Sequence, residues 1–200
     1  LENSIIKINI GTAGNAVDST GNAPEGDASK VENAVGLVID SCTTLLTMSN
    51  CNIYLGSAAQ NSTGIMAQNG NITLGYSAAA GTTQTITGSG GIKNNLLTAL
   101  GAGSSITTEA GTILTLSGGY GQVGIFSNGG AVITNNGTLN ASGDGTIGIM
   151  TDGGTVTNTG NLNISGGVYT DSANNKIGTV GVAALNSGAS FVSNSGSIQI

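Results

Sequence analysis

Histidine, arginine and tryptophan are missing from this chain of 200 residues, and proline occurs once. Each absence removes a class of chemistry. Without histidine there is no Ser-His-Asp triad, and two cysteines alone do not complete a zinc site; no metal or cofactor is expected. Four lysines stand against ten acids, for a formal charge of −6. No Lys/Arg patch for a phosphate backbone can be assembled, so nucleic acid is not an expected partner. No apolar run approaches the roughly 20 residues of a membrane-spanning helix, so this segment is not expected to insert in a bilayer. Only 7% of residues are charged, against about 25% in ordinary soluble domains.

What is present is glycine, at 35 positions, with abundant asparagine, serine and threonine. Disorder does not follow from that bias, because 38% of the residues are hydrophobic. Ile, Val, Leu and Thr are dense, a composition that suits strands and a thin repeated core.

The chain repeats itself. "VGIFSNGGAVITNNGTLN" begins at Val123 and "IGIMTDGGTVTNTGNLN" at Ile147. Glycine, any residue, then Ile or Leu recurs from Gly70, Gly90, Gly111, Gly137, Gly160 and Gly196, and "CNIYL" from Cys51 fits if Cys takes the glycine place. These sites are spaced by 19, 20, 21, 26, 23 and 36 residues, and "KINI" at Lys7 to Ile10 looks like an earlier copy. A period of 20 to 50 residues signals a solenoid. In "NITL", Ile72 and Leu74 alternate with Asn71 and Thr73, the period of a strand with one buried face. A second strand recurs as "VGLV" at Val35, "TGIM" at Thr63, "VGIF" at Val123, "IGIM" at Ile147 and "VGVA" at Val180. "NNLLTAL" at Asn94 is the one candidate for a helix.

The expected fold is all-β, a right-handed parallel β-helix with coils of about 19–26 residues over 1–200, in about eight rungs. Stacked rungs put each repeat position on its own copy: Ile on Ile in the core, and Asn, Ser and Thr in hydrogen-bonded ladders at the corners. Stacked charges would repel, which accounts for their scarcity. Two insertions break the rhythm, at about 11–33 and 166–179, and insertions in solenoids map to loops that often bind. The segment is expected to be a fragment of a longer rod. Outward Thr and Asn are not expected to form the apolar seam that a trimeric fibre needs.

Copies such as "TGNLNISGG" and "NNGTLNASGDG" resemble the passenger regions of type V secreted autotransporter adhesins. "GTIGIMTDGGTVTNTGNLNISG" is similar in particular to the very large fusobacterial outer-membrane adhesins. The resemblance covers most of the chain from Val35 onward. It implies a β-helix rod on the extracellular side of a Gram-negative outer membrane, tethered by a C-terminal barrel that is absent here. It also implies attachment to a receptor, protein or glycan, on host cells or other bacteria. No family binding residue transfers, because the repeat carries shape rather than a site.

Tyr76, Tyr120 and Tyr169 each follow a glycine that ends a strand, whereas Tyr54 sits inside one. Equivalent glycines would set the three rings along one edge about two rungs, or roughly 10 Å, apart. Amphipathic rings so placed are candidate partner anchors, and the plainer alternative is that tyrosine tolerates a half-exposed corner. Cys42 and Cys51 suit a local disulfide on a secreted rod and two small buried hydrophobes in a cytosolic one.

"GYGQVG" at Gly119 and "GDGTIG" at Gly143 match the dinucleotide-binding spacing, but both lead into strands and follow from the repeat. "GGYGQV" from Gly118 lacks the Asp of a calcium-binding nonapeptide. Asp144 and Asp152 lie within one coil as the nearest approach to a carboxylate pair for glycosidic cleavage. Catalysis is not expected. The adhesin reading competes with a non-binding stalk of the same protein. A β-helical polysaccharide-degrading enzyme or a phage-type receptor-binding fibre stands behind both.

Overall fold

Three parallel sheets account for most of the chain in a computed structural model that describes residues 6–10, 31–48, 51–75, 84–193 and 196–200. The first sheet holds seven strands: Ile6–Ile10, Cys51–Leu55, Gln84–Ser89, Thr112–Ser117, Thr138–Ser142, Asn161–Ser165 and Ile198–Gln199. The second holds Val35–Asp40, Thr63–Gln68, Asn95–Leu100, Val123–Asn128, Ile147–Asp152 and Val180–Leu185. The third holds Leu46–Met48, Asn71–Leu74, Ser105–Thr108, Val132–Asn135, Thr155–Asn158 and Ser190–Ser193. The chain visits the second, third and first sheets in turn, so each coil has three strands and the whole is a parallel β-helix. No helix is present among the described residues.

The coils are longer than the glycine spacing suggests. Val35, Thr63, Asn95, Val123, Ile147 and Val180 stack in register, with steps of 28, 32, 28, 24 and 33 residues. Two of the glycine sites belong elsewhere. Gly70 leads into the third sheet and Gly90 turns a corner, whereas Gly111, Gly137, Gly160 and Gly196 lead into the first. Six coils and one extra strand replace the eight rungs expected. The leucine-rich stretch at Asn94 is a strand of the second sheet.

Side chains alternate across each strand, and the inward ones form columns. Ile53, Ile86, Leu114, Leu139 and Leu162 stack from the first sheet. Ile65, Leu97, Ile125 and Ile149 stack from the second, and Ile72, Ile106, Ile133 and Val156 from the third. All are at most 1% exposed, so the core is one narrow apolar column along the rod.

One exchange explains why "NLLTAL" departs from the pattern of its neighbours. Elsewhere in the second sheet the place of Leu96 is held by Gly36, Gly64, Gly124, Gly148 and Gly181. A Cβ on Gly64 would lie 2.7 Å from the Leu96 carbonyl oxygen, and one on Gly124 would lie 2.7 Å from a Leu139 methyl. Leu96 fits because the facing column, otherwise Leu55, Leu116, Ala141 and Ile164, has Gly88 at that level. A Cβ there would touch Leu96 at 3.4 Å.

The corners use left-handed backbone. Asn33, Asn61, Lys93, Gly121 and Gly145 precede successive strands of the second sheet with φ of 55°, 48°, 52°, 62° and 63°. Ser41, Asn69, Gly101, Gly129 and Gly153 follow those strands, also at positive φ. Gly and Asn recur because few other residues accept that conformation cheaply. At the corner before the first sheet, a buried ladder links three coils. The Thr108 hydroxyl donates to Asn135 Oδ1 at 2.6 Å, and Asn135 Nδ2 donates to Asn158 Oδ1 at 2.7 Å. Asn158 Nδ2 then donates to the Gly160 carbonyl at 2.6 Å.

The three outer faces differ. The third sheet stacks Thr47, Thr73, Thr107, Thr134 and Thr157 in one column. The first presents Thr87, Thr115, Asn140, Asn163 and Gln199. The second presents Val38, Met66, Thr98, Phe126, Met150 and Ala183, so the absence of an outer apolar seam expected from composition does not hold there.

Candidate functional site: a hairpin docked on the rod

The insertion at 166–179 leaves the corner between the first and second sheets. In the preceding coil that corner is the short link Gly143, Asp144, Gly145, Thr146. In this coil Gly166 takes the place of Gly143 and Thr179 that of Thr146, and the intervening residues form an antiparallel hairpin. Its strands are Val168–Thr170 and Lys176–Gly178, with Tyr169 opposite Ile177. Two contacts close its base. Asp144 Oδ1 accepts from the Gly167 amide at 3.0 Å, and the Thr179 hydroxyl lies within 3.1 Å of the Gly143 and Gly167 carbonyls, to which it can donate.

An aspartate organises the tip. Asp171 Oδ1 accepts from the amides of Ala173 and Asn175 at 2.9 and 2.8 Å, and its Oδ2 accepts from Asn175 Nδ2 at 2.9 Å. Asn174 takes the left-handed conformation at φ 64°. These hydrogen bonds, the Asn175 side chain first and then its backbone, hold the Asp171 carboxyl below its ordinary pKa of 3.8, with a smaller contribution from Lys93.

The hairpin lies back along the rod. The Tyr169 ring stacks on Tyr120, which belongs to an earlier coil, with centroids 4.3 Å apart and planes 14° from parallel. Gly145 lies under the hairpin, where a Cβ would come within 3.1 Å of Tyr169 Cβ and 3.2 Å of the Ile177 carbonyl oxygen. The hairpin therefore reaches across two coils, those of Gly145 and Tyr120, with Tyr169 and Ile177 turned toward the rod. Desolvation against that edge, and then the proximity of Tyr120 and Asp171, raises the Tyr169 phenol above its ordinary 10.0. The opposite hairpin face presents exposed Val168, Thr170 and Lys176.

Of the three tyrosines singled out in the sequence, two come together. They are in ring contact rather than two rungs apart, because Tyr169 sits on a hairpin that folds back and not on a corner of its own coil. Tyr76 lies outside the described residues. Tyr54 stands on the outer face of the first sheet, half-exposed. Cys42 is a half-buried free cysteine whose thiol donates to the Thr44 carbonyl at 3.3 Å. The side chain of its proposed partner, Cys51, is outside the described residues, as is most of the insertion at 11–33.

The two glycine-spaced motifs stack on each other, Tyr120 on Asp144 and Val123 on Ile147, as successive copies of one corner. Asp144 and Asp152 do not converge. The strand Ile147–Asp152 separates them by roughly 20 Å, and Asp152 instead accepts from Asn128 and Asn186 side chains. A shallow groove on the outer face of the first sheet is lined by the amides and hydroxyls of Thr115, Asn140, Asn163 and Gln199 together with apolar Ile164 and Ile200.

Sequence reasoning missed the hairpin itself. Its signal was present: "VYT" and "KIG" flank an Asp/Asn-rich turn, the pattern of two short strands joined by a tight loop. No protein-family model matches the chain, and neither a curated protein nor a solved structure does.

Proposed function

We propose that this chain is a rod segment of a bacterial surface adhesin, an autotransporter passenger on the extracellular side of a Gram-negative outer membrane. Its docked hairpin is the element that meets a receptor, protein or glycan, on host cells or other bacteria. The observation that carries the reading is the fixed presentation of the hairpin. Closure at the base, an aspartate-ordered tip and a tyrosine stack hold one face against the rod and leave Val168, Thr170 and Lys176 facing outward. A loop ordered before binding loses less entropy on contact. The resemblance of the repeats to adhesin passengers supports the same reading. The non-catalytic part rests on the missing His and Arg and on the separated carboxylates.

The preceding coil supplies the test. Replacing 167–178 by Asp-Gly gives Gly166-Asp-Gly-Thr179, the link used at Gly143 to Thr146, and leaves the coil intact. Saturable binding of the purified segment to partner bacteria or host cells is expected to weaken by about tenfold or more in this variant, with the β-sheet circular dichroism unchanged. Equal binding by both proteins would move the contact off the hairpin. No binding by either would make the segment a stalk.

A further inference from the structure

The stack that docks the hairpin also brings two phenols together. The rings of Tyr120 and Tyr169 are the one pair in contact among the described residues, with centroids 4.3 Å apart and planes 14° from parallel. Both side chains are half-buried, so one edge of each remains open to solvent. Tryptophan and histidine, which compete with tyrosine for one-electron oxidation, are absent from the chain. The thiols stand well away. Cys42 follows the first strand of the second sheet, and the strand of Cys51 lies two coils before Thr112–Ser117, which leads to Tyr120.

We infer that Tyr120 and Tyr169 are a modification site, joined into a dityrosine by a haem peroxidase with hydrogen peroxide. Each phenol gives up one electron and its hydroxyl proton to the oxidised haem. The two phenoxyl radicals then pair their odd electrons in a carbon–carbon bond between the positions ortho to the oxygens. Each ortho carbon releases its hydrogen as a proton, the oxygen takes one back, and both phenols are restored. Two hydrogens leave in all, and one peroxide becomes two waters.

Position makes this pair the favoured one. Two radicals on separate chains must meet by diffusion, whereas rings already in contact couple as one unit, with an effective molarity far above any protein concentration. The bond needs the rings to slide and twist out of their parallel stack. The hairpin can follow, since the hydrogen bonds of its tip, from Ala173 and Asn175 to Asp171, are internal to it. Oxidised methionine takes up oxygen and forms no such link. The product is a covalent latch that keeps the hairpin on the rod at alkaline pH, where the stack alone opens. The inference rests on the docking of the hairpin and not on the adhesive reading.

The test treats the whole chain with peroxidase and hydrogen peroxide and reads dityrosine by fluorescence and by peptide mass. Cleavage after acidic residues yields Ala110–Asp144, whose one tyrosine is Tyr120, and Gly153–Asp171, whose one tyrosine is Tyr169. These two peptides are expected to appear joined, two hydrogens lighter than their sum. The yield is expected to be the same at about 1 μM and about 50 μM protein, as an intramolecular step requires, and about tenfold or more above any other tyrosine pair. Tyr120→Phe and Tyr169→Phe keep a ring in the stack and are each expected to abolish the link, whereas Tyr54→Phe retains it. Dityrosine that joins other pairs equally, a yield that climbs with concentration, or no link at all would overturn the inference. Cell binding that is lost while the link still forms would count against the adhesive reading alone.

Discussion

At the scale of single residues, the fold depends on positions where only one or two side chains can stand. Lys93 is the exception in a corner column otherwise made of Asn and Gly, and it holds φ at 52°. A left-handed conformation costs an ordinary residue about 1 kcal/mol. Lys93→Asn is therefore expected to stabilise the chain by roughly 0.5–1 kcal/mol, seen as a higher midpoint in urea denaturation. Gly160 is the opposite case, since a Cβ there would overlap the Gly137 carbonyl oxygen. Gly160→Ala is expected to cost about 3 kcal/mol or more, read from the same titration. The sequence made the glycines and asparagines visible as a class but did not distinguish these roles. Gly160 excludes a side chain by contact and Gly145 by both contact and φ, yet both read as "G" in a glycine-rich chain.

At the scale of elements, strands were easier to recognise than the partners they would find. Ile, Val and Thr in alternation identified "NITL", "NLNI" and "VGIF" as strands. The stretch "NLLTAL" was ambiguous because Leu96 occupies a place that its neighbours give to glycine. What makes Leu96 acceptable is Gly88, eight residues earlier and on another sheet, and no local pattern carries that complementarity. The hairpin is the other element whose meaning is spatial, because its tyrosine stacks on a coil that the chain completed about fifty residues earlier.

Its ionisable groups give it two pH limits. Tyr169 has a raised pKa, so its contribution to docking is complete below about 10 and is lost as pH rises through the folded value. Asp171 has a lowered pKa, so its contribution is present above about 3.8 and is lost as pH falls through the folded value. Amide exchange or NMR at Ala173 and Asn175 is expected to show the tip loosening first in acid. The Tyr120–Tyr169 contact is expected to open first in alkali.

At the scale of the whole molecule, periodicity announced a solenoid, and the parallel β-helix follows. The period was read too short because three different corners share the same glycine-rich spelling. Gly70 and Gly90 match the motif of Gly137 and Gly160 although they turn the chain elsewhere. Only stacking separates them, since Ile53, Ile86, Leu114, Leu139 and Leu162 define the true register. The outer faces were legible in part. Threonine on the third sheet and amides on the first fit the composition, whereas the apolar column of the second is spread over residues 24 to 32 positions apart and has no signature in any single coil.

The hydrogen bonds that join one coil to the next also order events in time. Each strand of the three sheets finds its partner in the coil just completed, so no step waits for a distant part of the chain. A nascent or threaded chain can lay down one turn at a time, using the exposed edge of the last as a mould. The slow event is then the first coil, which has no mould, and growth after it is limited by how fast the next few dozen residues arrive.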